Sequence, residues 1–341
     1  MSKILVLGAF CYRDNKLDGQ TIKTRNVYEL IKAHESSAIY YDTSEFKYSK
    51  WSLLKMFYLV CTIKVLIYLP AQNNINYMFP FIFLLAKLFK TKICYIQIGG
   101  WLNVFLKNKP LHAWMFTKVE HVLAETRYMK LRLEEDFDFK NVSLFNNFRI
   151  TDFKPTVHHV DGTLKCVFMA RVQKKKGLDM LFALADYIEA NKLMITIDIF
   201  GQVSEEDKDY FFNNVRLHSN MKYNGALQPT DIYATIEKYD VMLLPTHYFT
   251  EGLPGTILDS YISGIPVIAT KWRHATEFID DGKTGFIVPF ENGQDELNKT
   301  ITYLLTHEPI LKEMKKKAYI RSLDFGYKKA WKALENIVNK A

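Results

Sequence analysis

The feature that most restricts this chain is a rhythm of short apolar runs that stop at glycine or proline, each followed by a stretch with helical spacing. Residues 4–7 run into Gly8, residues 93–98 into Gly99-Gly100, residues 194–200 into Gly201, and residues 241–245 close on Pro245. Residues 65–68, 119–124, 142–145, 165–169, 267–269 and 285–289 have the same strand character. Between them, residues 21–32 place Ile22, Val27, Leu30 and Ile31 on one helical face, after a turn at Asp18-Gly19. Residues 79–89, 178–191, 231–239 and 255–263, and the chain after Asp295, are also helical in pattern. Strands alternating with helices imply parallel β-α-β units, with functional loops at the carboxyl ends of the strands.

The rhythm breaks once, in the polar stretch 148–163, which holds Pro155, Gly162, His158 and His159. The expected organisation is a Rossmann-like domain over 1–150, a linker over 151–163, a second Rossmann-like domain over 164–315, and a C-terminal helix over 316–341 that returns to the first domain. A chain of 341 residues with 48% apolar and 24% charged residues can bury a core in each half. Disordered, collagen-like and disulfide-stapled classes are excluded. Cys11, Cys61, Cys94 and Cys166 are far apart and form no C-x-x-C pair, as expected for reduced thiols in a cytoplasmic protein. The opening residues lack the apolar core of a secretory signal. The apolar run 53–69 contains Lys55 and Lys64, each costing about 3 kcal/mol at bilayer depth, and 78–89 is too short to span.

Charge is divided unevenly. Residues 1–150 hold 21 Lys and Arg against 12 Asp and Glu, a net +9, whereas residues 151–341 net −1. No acid occurs between Glu45 and Glu120, while ten lysines do, interleaved with Trp51, Phe57, Tyr58, Trp101, Phe105, Trp114 and Phe116. This segment suits an anionic membrane surface or an anionic glycan. It contains no nucleic-acid recognition motif, so no nucleic-acid partner is expected.

The most specific segment is Glu251-Gly252-Leu253-Pro254-Gly255-Thr256-Ile257-Leu258-Asp259, directly after the strand at 241–245. Its Gly-x-Pro-Gly loop opens a helix whose first amides and positive dipole end attract phosphate. A carboxylate beside such a site is suited to accept hydrogen bonds from sugar hydroxyls. A second segment, Arg171-Val172 and then Lys174-Lys175-Lys176-Gly177, sits where a strand ends and a helix begins; its cations can neutralise a diphosphate leaving group. Asp136-x-Asp138 and Asp207-x-Asp209 mimic a metal-binding pair, but neither follows a buried strand, and no metal or other cofactor is expected. His247 and His274 flank the loop, His247 being the better placed to touch a ligand. No G-x-S-x-G elbow and no G-x-G-x-x-G fingerprint is present.

In this order and about 75 residues apart, the two segments resemble the family 4 retaining glycosyltransferases. Asp18-Gly19-Gln20-Thr21 is similar to that family's N-terminal glycine loop. Phe200-Gly201 and Tyr223-Asn224-Gly225 are similar to its strand-end glycines, and residues 270–277 and 281–288 to its closing segment. The resemblance implies the GT-B fold, two doubly wound Rossmann-like domains facing across a cleft. It implies that Arg171 and Lys176 grip a donor diphosphate, that Glu251 holds donor-sugar hydroxyls, and that Asp259 contacts the ribose where the family usually has glutamate. Gly19, Gln20, Gly201, Asn224, Gly225 and the segment Gly252-Leu253-Pro254-Gly255-Thr256 complete the implied donor site. The family's N-terminal histidine has no counterpart, since the strand end reads Gln97-Ile98-Gly99-Gly100-Trp101; Gln97, Gly99, Gly100 and Trp101 are the acceptor-side candidates.

The resemblance thus implies metal-independent, retaining transfer of a hexosyl or N-acetylhexosaminyl group. The donor would be a nucleotide-sugar, most often a UDP-sugar, and the acceptor a lipid-linked or oligosaccharide hydroxyl in surface-polysaccharide assembly. The expected place is the cytoplasmic face of the cell membrane, held peripherally. The alternative is a catalytically silent scaffold or partner subunit of an active transferase.

Overall fold

The computed structural model describes residues 3–14, 16, 18–156 and 162–339, and it divides into two units. The first comprises Met1–Thr151 and Phe325–Ala341, the second Asp152–Asp324. His158 and His159 lie outside the described residues.

The first unit runs β1 (Ile4–Gly8), α1 (Gly19–His34), β2 (Ile39–Asp42), α2 (Trp51–Thr62), β3 (Val65–Leu69), α3 (Gln72–Leu88) and β4 (Lys92–Ile96). It continues through α4 (Leu102–Lys107), α5 (Pro110–Thr117), β5 (His121–Ala124), α6 (Arg127–Phe137) and β6 (Val142–Leu144). The strands form one sheet in the order β2-β1-β3-β4-β5-β6, paired parallel throughout. Its strands are apolar at successive positions because both faces are covered. Leu5, Leu7, Leu66 and Tyr68 point into a core under α2, α3 and α5, while Ile4, Val6, Val65 and Ile67 point to the other side.

The second unit runs β7 (Leu164–Met169), α7 (Leu178–Ala190), β8 (Ile195–Phe200), α8 (Lys208–Val215), β9 (Met221–Tyr223), α9 (Ile232–Ile236) and β10 (Val241–Leu244). Then come α10 (Gly255–Ile262), β11 (Val267–Thr270), α11 (Ala275–Phe278), β12 (Gly285–Val288), α12 (Gln294–Thr306) and α13 (Glu308–Ser322). Its parallel sheet has the order β12-β11-β10-β7-β8-β9. After β9 the chain returns to the centre and places β10 beside β7. The carboxyl ends of β7 and β10 therefore flank a topological switch point, where open α/β sheets bind ligands.

Several expectations need correction. Asp18-Gly19 is not a free-standing turn: Asp18 caps α1 by accepting a hydrogen bond from the Thr21 amide at 2.9 Å, and Gly19 is already helical. The run 53–69, rejected above as a membrane span, divides between most of α2 and β3, and among the described residues no helix is long and apolar enough to cross a membrane. The helix read at 79–89 begins seven residues earlier, at Gln72, with Pro80 inside it. The segment 316–341 is not one helix, because α13 runs through residue 316 to Ser322 and a new helix, α14 (Tyr327–Asn339), follows.

α14 belongs to the first unit, where Ala330, Leu334, Ile337 and Val338 are buried against Ile4, Val6, Val27 and Ile31. Trp331 stacks on His34 of α1 with ring centroids 3.7 Å apart. Leu334 is fully buried, so Leu334→Ala is expected to destabilise the first unit by about 2–5 kcal/mol. Urea denaturation followed by tryptophan fluorescence reads this, and an unchanged midpoint contradicts the assigned packing.

Candidate active site

Two loops meet at the switch point. The first leaves β7 through Ala170 and Arg171, makes a short 3-10 turn over Lys174–Lys176, and enters α7 at Gly177. Gly177 has φ +85°, and a Cβ there would sit 1.8 Å from the Pro245 carbonyl oxygen at the end of β10. Only glycine allows that approach. The His247 amide then donates to the Lys175 carbonyl at 2.9 Å, and the His247 ring bonds Asp179 of α7 at 2.8 Å. His247 is thereby used to hold the two loops together.

This seam puts Lys176 and Glu251 in direct contact. The Lys176 ammonium donates to Glu251 Oε1 in a short ion pair whose side chains are 14% and 18% exposed. Thr246 Oγ1 lies 3.3 Å from Glu251 Oε2, and Thr270 Oγ1 in turn bonds the Thr246 carbonyl. The Tyr248 ring lies 5.7 Å from the Lys176 ammonium. The pair is thus pre-positioned and still reachable from solvent.

After Glu251 the loop Gly252-Leu253-Pro254 is buried and delivers α10, with Pro254 as its cap residue. Trp272, 1% exposed, donates its indole N–H to the Gly252 carbonyl at 3.3 Å and fixes the loop from behind. Thr256 Oγ1 donates to the Met169 carbonyl at 2.6 Å, tying the first turn of α10 to the end of β7. Gly255 and Thr256 open the helix, and Asp259 is buried on its second turn. The first amides of a helix have no intrahelical partner, so this terminus, four residues after Glu251 in the chain, is chemically suited to receive an anion.

The neighbouring strand ends are knitted to the same place. Gly201 has φ +140°, and a Cβ there would lie 1.8 Å from the Ala170 carbonyl oxygen. Its amide donates to the Gly225 carbonyl at 2.9 Å, and its own carbonyl accepts from the Tyr223 hydroxyl. Asn224 presents a buried side-chain amide nitrogen, Nδ2, with no protein hydrogen bond. Arg171 stands exposed one residue past Ala170. Among the described residues no cluster of three or more metal-ligating side chains occurs; Asp136 pairs with Arg132, and Asp207 accepts from the Lys174 amide at 2.8 Å.

In the first unit Gln97 is fully buried. Its side-chain amide donates to the Gly99 carbonyl at 3.1 Å, its Oε1 has no protein partner, and Gly99 has φ +74°. Its backbone carbonyl accepts from the Lys23 ammonium at 3.0 Å, and Lys23 forms a buried 2.6 Å ion pair with Glu125. The sequence reading missed both residues of that pair. Gln20, in the first turn of α1, has a buried Nε2 without a protein partner. Trp101, partly buried, caps α4 and stands edge-on to Phe105, while Gly100 precedes it in a bend.

Residues 150–321, half of the chain, match the family described as Glycosyl transferases group 1, and the chain belongs to that family. It is 30% identical over 129 residues to the UDP-N-acetylglucosamine–peptide N-acetylglucosaminyltransferase GtfA subunit of Streptococcus gordonii, covering 37% of this chain and 24% of that protein. It is 23% identical over 203 residues to the poly(ribitol-phosphate) alpha-N-acetylglucosaminyltransferase of Staphylococcus aureus strain COL, covering 59% of this chain and 40% of that protein. The chain therefore spans only 24% and 40% of the lengths of these two relatives. Anabaena HepE, solved with UDP and glucose, superposes with a TM-score of 0.77 over the whole of both chains at 14% identity. The fold is α/β, of the GT-B type expected from the sequence.

His274, 3% exposed, caps α11. Burial, reinforced by the Arg273 guanidinium, lowers its pKa to about 4. Unfolded histidine titrates near 6.5, so neutral His274 supports the fold fully above that pH and loses its contribution as pH falls toward 4. The loss is on the order of 3 kcal/mol. His274→Gln is expected to flatten the fall in melting temperature across this window, and parallel curves for variant and parent contradict the assignment.

Proposed function

We propose that the protein is a retaining glycosyltransferase that moves a sugar from a nucleotide-diphosphate donor, a UDP-sugar, to a hydroxyl of a lipid-linked or oligosaccharide acceptor in surface-polysaccharide assembly. The observation that carries this reading is the Lys176–Glu251 pair at the switch point, with Glu251 four residues before the start of α10, within the segment that matches the family. The two relatives described above are N-acetylglucosaminyltransferases by name, which favours a hexosyl or N-acetylhexosaminyl group.

In this reading Lys176, Arg171 and the first amides of α10 meet the diphosphate, and Asp259 the ribose. Gly201, Asn224 and Gly225 border the nucleotide and diphosphate. Glu251 leaves Lys176 to the phosphates and accepts hydrogen bonds from sugar hydroxyls. The bond from the anomeric carbon to the diphosphate oxygen breaks as the acceptor oxygen bonds that carbon from the same side. The acceptor proton passes to the departing diphosphate. The protein's part is positioning and charge neutralisation, with no metal required. Gln97, Gly99, Gly100 and Trp101 serve the acceptor. The basic first unit holds the enzyme peripherally on an anionic membrane, on its cytoplasmic face.

Calorimetric titration with UDP and GDP beside a transfer assay tests the assignment. Lys176→Ala and Arg171→Ala are each expected to weaken UDP binding about 10- to 100-fold and to slow transfer, because a charge-assisted contact is lost. Glu251→Gln is expected to cut turnover while UDP affinity stays at or above that of the parent. Equal UDP losses for Glu251→Gln and Lys176→Ala, or parental UDP binding by both cation variants, overturn the roles. UDP binding without transfer or donor hydrolysis favours the silent-scaffold alternative.

A further inference from the structure

Helices α2 and α3 are apolar on two opposite sides. On α2, Met56 and Val60 are fully buried in the sheet core, whereas Trp51, Leu54 and Tyr58 are exposed at 78%, 59% and 64%. The spacing i, i+3, i+7 puts these three on one stripe, turned away from Met56 and Val60. On α3, Ile75, Phe79, Ile82 and Ala86 face the core, and Tyr77, Phe81, Leu84 and Leu88 form the outer stripe, each more than 60% exposed. A helix on the surface of a soluble domain turns polar residues outward, and these two do the reverse.

The two stripes form one layer. α2 packs on α3 and α3 on α5, and Phe83 of α3 stands edge-on to Trp114 of α5 at 5.8 Å. Trp114 is itself 53% exposed. Lysines border and punctuate the layer: Lys50 just before α2 and Lys55 on it, Lys87 in the last turn of α3 and Lys90 just after it, Lys118 after α5, all exposed. Residues 46–119 contain no carboxylate side chain. That charge pattern selects the occupant. A second copy docked on the same face would set lysine against lysine with no acid from this segment between them. An anionic bilayer offers phosphates to the lysines, an interface to Trp51, Tyr58 and Trp114, and acyl chains to Phe81, Leu84 and Leu88.

We infer that the α2–α3–α5 layer inserts its outer apolar stripe into the headgroup–acyl boundary of an anionic membrane, with the surrounding lysines on the lipid phosphates. This deepens, and rests on, the peripheral membrane association proposed above, and it adds that the anchoring is apolar as well as ionic. The test is flotation with vesicles of phosphatidylcholine alone and of equal parts phosphatidylcholine and phosphatidylglycerol. The protein is expected to float with the mixed vesicles and to remain partly bound in high salt, with Trp51 and Trp114 quenched by brominated acyl chains. The triple variant Trp51→Ala, Phe81→Ala, Leu84→Ala removes only exposed side chains. It is expected to lose at least about tenfold in partitioning, with parental melting temperature and UDP affinity. Triple-variant binding equal to that of the parent overturns the insertion while leaving peripheral attachment standing. A parent protein that binds neither vesicle overturns both, and a parent that dimerises through this face without binding vesicles assigns the layer to a second copy instead. UDP affinity, read on the same samples, reports the donor-site reading separately.

Discussion

The close approach of Gly177 to the Pro245 carbonyl is the constraint on which the candidate site depends. β7 and β10 are adjacent strands of one sheet, but their exits belong to segments about 75 residues apart in the chain. A side chain at residue 177 would force those exits apart. With glycine there, the Lys175 carbonyl reaches the His247 amide and the Lys176 ammonium reaches Glu251. Thr246 then donates to the Glu251 carboxylate, and Thr270, Trp272 and Thr256 fix the loop around the pair through backbone carbonyls, so the charged groups are placed by buried and part-buried hydrogen bonds. This is how a parallel sheet positions chemistry: the central strands are largely buried, and selectivity sits in what their ends bring together.

The sequence disclosed the strands that run through the middle of each sheet, since residues covered on both faces form unbroken apolar runs. It was silent on β2, an edge strand of four residues in which Ile39 and Tyr40 are partly or largely exposed. It also gave a late start for α3, because Gln72, Asn73 and Asn74 carry no apolar signal although Ile75 is fully buried. Arg171, Lys176, Glu251 and the loop to Asp259 stood out as candidates from their order and spacing, and the structure brings Lys176 and Glu251 into contact. The side chains that hold them were not, because a threonine bonded to a carbonyl has no sequence signature. Lys23 and Glu125 were invisible for the same reason: they pair across 102 positions and look like ordinary surface charges until α1 is laid against the ends of β4 and β5.

The two units spend charge differently. The second, with 20 Lys and Arg against 24 Asp and Glu, nets −4 and concentrates its chemistry at one switch point. The first carries the excess of lysines and the outward apolar stripes, and it also buries one lysine completely. A buried ion pair is a costly arrangement unless its remaining donors are satisfied. Here Lys23 bonds both the Glu125 carboxylate and the Gln97 carbonyl, which fixes the strand end that carries Gln97 and Gly99. That geometry gives Gln97 and Gly99 a buried, hydrogen-bonded platform of their own.

Hydrogen exchange of the intact protein with and without UDP is the most direct measurement of the central claim that the β7 and β10 loops form the donor site. The account predicts slowed exchange at the amides of residues 171–178 and 252–258, with the core strands unchanged. Protection confined to other segments, or none at UDP concentrations that saturate binding by calorimetry, would contradict it.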